Sequence, residues 1–121
     1  MIHPEYRLTV RFYRSANGRE PVREWLSGLS RTDKRTVGED IKTVQLGWPL
    51  GMPLVRKLES NLWEVRVDLK DGIARVLFTT VQSTTEGSTM VLLHGFIKKS
   101  QQLPTADLAL ARNRMKEIRH G

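Results

Sequence analysis

An α+β fold is predicted for this chain, from three observations. Apolar residues recur at helical spacing twice in the first half. The period changes to two after residue 54, and hairpin turn signals separate the strand-like runs that follow. A last amphipathic stretch closes the chain. The expected order is β-α-α-β-β-β-α, a mostly antiparallel sheet packed against a helical hairpin and a C-terminal helix. With 121 residues, the chain is expected to form a single domain over 1–121 with one core.

Each element has its own signature. Leu8, Val10 and Phe12 alternate with polar residues, which makes a half-buried strand. Ser15-Ala16-Asn17-Gly18 is a turn, and Pro21 suits the first turn of a helix. Val22, Trp25, Leu26 and Leu29 then fall on one helical face. Thr32 or Asp33 is expected to cap a second helix, along which Val37, Ile41 and Val44 recur. Gly47 stops it, and a loop with Trp48 and Leu50 follows. Leu54 to Glu59 reads as a strand ending in a Ser60-Asn61 turn. In the strand Leu62 to Leu69, Trp63, Val65, Val67 and Leu69 share one face, and Glu64, Arg66 and Asp68 the other. Asp71-Gly72 signals a hairpin into the strand Ile73 to Val81. Gln82 to Ser88 reads as a polar loop and Thr89 to Lys99 as the last strand. Beyond Pro104, Thr105 is expected to cap a helix with the stripe Leu108, Ala111, Met115 and Ile118.

Composition narrows the function classes. Hydrophobic residues make up 39%, enough for a globular core. Cysteine is absent, so disulfide and thiolate chemistry are excluded and the cytoplasm is the expected compartment. The first residues lack an apolar stretch of signal-peptide length, and no run approaches a membrane span. The formal net charge of +7 favours polyanionic partners. The basic residues are spread along the chain, so any basic patch must be assembled by folding. His3, His94 and His120 are the only histidines, and no metal-ligand spacing, P-loop or dinucleotide fingerprint occurs. Neither a metal nor a small-molecule cofactor is expected.

The chemistry concentrates where buried strands end. His94 lies in the last strand and is either a core histidine with satisfied nitrogens or a base. Period two puts His94, Phe96 and Lys98 on one face and Gly95, Ile97 and Lys99 on the other. Gly95, without a side chain, allows a backbone or ligand to come close. Arg66 and Arg75 are interior to neighbouring strands, as partners of Glu64 or Asp68 or as a bidentate phosphate clamp. Arg56 and Lys57 open the same sheet region, as a solvated edge or as part of the clamp. Together, Lys57, Arg66, Arg75, His94, Lys98 and Lys99 suit metal-free RNA cleavage, in which a 2′-hydroxyl attacks the adjacent phosphate and cations stabilise the phosphorane. Arg56, Phe96 and Lys99 are the expected RNA-binding residues. Trp63 is a core residue or a stacking platform.

Several runs carry a resemblance: Lys57-Leu58, Leu62-Trp63-Glu64-Val65-Arg66-Val67, Ala74-Arg75-Val76-Leu77-Phe78, and Leu92-Leu93-His94-Gly95-Phe96-Ile97-Lys98-Lys99 with Pro104. They are similar to the phage-derived, HigB-like branch of the RelE/ParE toxin superfamily, from residue 54 to about 118. The resemblance implies a RelE-like fold and the toxin of a type II toxin–antitoxin module. Its antitoxin would carry a helix-turn-helix domain. RelE-like and HigB-like members cleave mRNA on the ribosome, whereas ParE-like members poison DNA gyrase. Matched by motif, Lys57, Arg66, Arg75, His94 and Lys98 stand where this branch places basic and catalytic groups, and Phe78 stands where many relatives have tyrosine. Three readings remain at this level: an mRNA endonuclease, a gyrase-binding toxin, and an inactive prophage binding module.

Overall fold

The computed structural model of the chain describes residues 7–83, 87–98 and 102–120. The elements are β1 (Thr9–Phe12), α1 (Pro21–Ser27), α2 (Arg31–Gly47), β2 (Val55–Glu59), β3 (Leu62–Leu69), β4 (Gly72–Ser83), β5 (Gly87–Lys98) and α3 (Thr105–His120). One mixed five-stranded sheet has the order β1-β5-β4-β3-β2. β1 runs parallel to β5, and the remaining neighbours are antiparallel.

Four consecutive strands follow the helical hairpin: all four stretches read as strands are present, although the expected order counted only three. Two tight turns account for them. Glu59 pairs with Leu62 across Ser60-Asn61, and Asn61 adopts the left-handed conformation (φ 60°) that asparagine tolerates. Leu69 pairs with Gly72 across Lys70-Asp71. In the stretch expected as a loop, Gln82 to Ser88, the described residues are strand, with Gln82 paired to Ser88 and Ser83 to Gly87. Backbone ladder bonds continue there without an apolar side-chain pattern to reveal them.

The first helix begins with Pro21, where its missing N–H costs nothing. Ser30, rather than Thr32 or Asp33, caps α2: its hydroxyl accepts from the Asp33 N–H at 3.1 Å. Thr105 is the first residue of α3, and the Pro104 carbonyl accepts the Leu108 N–H at 3.2 Å.

The sheet has two unlike faces. On one, α1 and α2 cover Val55, Val65, Val67, Ala74, Val76, Phe78, Met90 and Leu92. Trp63, expected as either core or platform, belongs to this core. Its ring meets Trp48 edge-on at 5.1 Å and stacks with Phe78 at 5.8 Å. Gly95 is approached by α1, not by a ligand: a Cβ at this position would collide with the Trp25 ring. On the other face α3 covers Leu62, Leu77, Val91 and Leu93 through Leu108, Ala111, Met115 and Ile118.

Register on β5 breaks at Leu93. Leu92 pairs with Phe78 but His94 pairs with Leu77, so β5 carries one extra residue. Such a bulge re-aims the side chains beyond it. Leu92 faces the helical hairpin, whereas Leu93 and the following His94 both face α3. Without it, His94 would point under α1.

Candidate active site

The register lays out the α3 face as two rows. One runs His94 (β5), Leu77 (β4), Glu64 (β3), Arg56 (β2), each residue directly opposite the next. The neighbouring row runs Phe96, Arg75, Arg66. Adjacent strands are about 4.8 Å apart, so the first row spans about 14 Å from His94 to Arg56. Lys98 lies one further step along β5, opposite Ile73.

Arg66 and Arg75 face each other across β3 and β4, a like-charge pairing that is unfavourable by itself. Glu64 resolves it. Its carboxylate is wholly buried, 3.4 Å from Arg75 Nη1 and 3.7 Å from Arg66 Nε. Burial pushes the Glu64 carboxyl above the ordinary glutamate value, while the positive charges of Arg75, Arg66 and Arg56 pull it down. One carboxylate thus faces three guanidinium groups, and the cluster keeps a positive excess suited to an anion.

These groups differ in access. The Arg75 side chain is 0% exposed and that of Arg66 17%, while Arg56 and Lys98 are exposed. A ligand arriving from solvent meets Arg66 and Arg56. Arg75 stays enclosed as the partner of Glu64.

At the other end of the row, His94 Nε2 lies 2.6 Å from Asp107 Oδ1, with side chains 16% and 22% exposed. The imidazole stacks with Phe96 at 5.2 Å between centroids. A neutral ring that donates Nε2–H to the carboxylate presents Nδ1 as an acceptor. Asp107 comes from the first turn of α3, and that helix is tied down along its length. Arg112 binds Glu59 with both Nε and Nη2, at 2.9 and 2.7 Å. Arg114 donates to the Leu93 carbonyl, at the bulge, at 2.7 Å. Tyr13 donates to Glu117 Oε2 at 2.8 Å.

The structure brings together Arg56, Arg66, Arg75, His94, Phe96 and Lys98 on one face. It does not bring Lys57 to them. Lys57 pairs with Trp63 and so projects on the helical-hairpin face, at the exposed edge strand β2. Phe78 also lies on that opposite face, within the aromatic core. Lys99 and His3 lie outside the described residues, as does the side chain of His120. Sequence reasoning missed Asp107 and gave Glu64 only the role of a pairing carboxylate. An acidic residue in the first turn after Thr105 was the available signal for Asp107. For Glu64 it was an acid two residues before an arginine on one strand face. Among the described residues, no three His, Asp or Glu side chains group as metal ligands would. Nor is any described helix long and apolar enough to cross a membrane.

The α+β fold and this basic face define a small domain built to present cations and one imidazole from a rigid sheet. Residues 24–116, most of the chain, match the family described as "Phage derived protein Gp49-like (DUF891)". The chain belongs to this phage-derived Gp49-like family, a RelE/HigB-like family of toxin–antitoxin toxins. Membership implies an antitoxin partner. No curated protein is similar enough to count as a relative.

Proposed function

We propose that the protein is a HigB-like, ribosome-dependent mRNA endonuclease that works by metal-free attack of a 2′-hydroxyl. The observation that carries this reading is the His94–Asp107 pair, 2.6 Å apart, on the same sheet face as Arg66 and the Glu64-centred arginines. Asp107 holds the imidazole so that Nδ1 takes the proton of the 2′-hydroxyl. The 2′-oxygen then bonds to the adjacent phosphorus, and the bond from phosphorus to the 5′-oxygen breaks. Arg66, with Arg56 beside it, stabilises the charge that develops on the phosphoryl oxygens. Lys98, further along the same face of β5, protonates the leaving 5′-oxygen. The products are a 2′,3′-cyclic phosphate and a 5′-hydroxyl end. Phe96 backs the imidazole. Arg75 is a positioning residue behind Glu64, and Lys57, on the opposite face, has no part in the step. The antitoxin partner of this module would be the helix-turn-helix type.

The test is expression without the antitoxin, with mRNA 5′ ends mapped across the transcriptome. Wild type should generate new 5′-hydroxyl ends within translated codons. His94→Ala should lower their yield by about 10²-fold or more. Growth arrest with no new ends would overturn the nuclease and leave a non-nucleolytic toxin, such as a gyrase poison, to be tested by a supercoiling assay.

A further inference from the structure

A groove of about 540 Å³ opens between β2 and the start of α3, lined by Arg56, Leu58, Gln102, Leu103 and Leu108. The catalytic step uses Arg56 at its edge and leaves Leu58, Gln102, Leu103 and Leu108 without a role. Both of its walls are attached to the site. Arg56 is the end of the His94–Leu77–Glu64 row. Leu108 directly follows Asp107, which holds His94. Arg56 is also diagonal to Arg66 across β2 and β3, a separation of about 7–8 Å between neighbouring positions of a sheet.

The lining is chemically specific. Leu58, Leu103 and Leu108 form an aliphatic wall that belongs to the core of the α3 face. Arg56 and Gln102 are exposed and polar at its rim. A phosphate gains nothing from a leucine wall, and an aliphatic ligand gains nothing from a carboxamide. A flat heterocycle uses both: its face packs on the leucines, and its edge meets an amide that both donates and accepts. Single-stranded RNA presents unstacked bases for this kind of reading, and a guanidinium plane such as that of Arg56 can stack on them.

We propose that this groove is a nucleobase subsite. It takes one base of the RNA whose phosphate lies between Arg66 and His94, and Gln102 reads the edge of that base. The proposal rests on the endonuclease reading above and adds the origin of its sequence preference. Gln102 is a specificity-determining residue and takes no part in bond breaking.

The experiment uses purified protein and ribosomes programmed with short mRNAs that vary each position of the A-site codon. Wild type should favour one base at one codon position. Gln102→Ala should flatten that preference by about 10-fold, the loss expected for one good base-edge contact. An abasic ribonucleotide at that position should cost wild type a similar factor, and Gln102→Ala should then make no further difference. If wild type cleaves and Gln102→Ala keeps the same ranking of codons, the subsite is overturned while the endonuclease stands. If the abasic substrate is cleaved as well as the best codon, the groove holds no base and the proposal falls. If wild type cleaves none of the mRNAs, both readings fall together.

Discussion

The two faces of the sheet are built from the same strands and stabilised in different ways. The helical-hairpin face is apolar and aromatic, with Phe78, Trp63 and Trp48 in mutual contact. The α3 face buries Glu64 and Arg75 among its leucines and secures its helix by polar ties. Each large apolar side chain buried on the first face contributes about 1.5–3 kcal/mol. A buried ion pair such as Glu64–Arg75 gives little net stability, because desolvation offsets the attraction. The α3 face therefore keeps its charges at some cost to the core, as expected where a site is held ready. Both faces bury an apolar core, and only the α3 face also encloses an ion pair.

Substitutions in neighbouring positions should separate the two faces. Phe78→Ala, on the apolar face, should have the largest effect on folding, about 3–5 kcal/mol, read as a fall in the denaturant midpoint at unchanged slope. An unchanged midpoint would mean that the aromatic cluster does not support the fold. Arg66→Ala, two strand positions past Glu64 and partly open to solvent, should reduce mRNA cleavage by about 10²-fold with a much smaller change in midpoint. Loss of activity and stability in proportion would make Arg66 a structural residue.

Smaller effects follow at the rim. Glu59 is held below the ordinary glutamate value, chiefly by its hydrogen bonds from Arg112. A depressed folded value means that the tie is present above the unfolded value of about 4.5 and is lost as pH falls through the folded one. Glu59→Gln should therefore lower Tm slightly at neutral pH, and the gap from wild type should close on acidification below pH 4.5. A gap independent of pH would show that the ion pair does not anchor α3. Lys57→Ala should have the least effect: cleavage within about threefold of wild type, since uncoupled surface substitutions are near neutral. A large loss would return Lys57 to the site and require the β2 edge to reach the RNA from the opposite face.

Much of the fold was legible because it is written in local periods. Alternation along Leu62–Leu69 separates Trp63, Val65 and Val67 from Glu64 and Arg66, and that is how the faces divide. His94 and Phe96 do share a face, apart from Gly95. The same rule applied from Val55 would have put Arg56 and Lys57 on opposite faces. Three features were not legible. The bulge at Leu93 alters the register without altering the local pattern. The burial of Arg75 depends on Glu64 being its neighbour across the sheet. The partnership of His94 with Asp107 depends on where α3 lies.

By itself, then, the sequence determined the elements, their apolar faces, the net positive charge and the residue types available for chemistry. These follow from side-chain period and composition, which are local. Tertiary structure decided which cations share a face, which one is enclosed, and which carboxylate orients the histidine. Those depend on strand register and helix docking, through contacts between residues far apart in the chain, as His94 and Asp107 or Glu59 and Arg112 show.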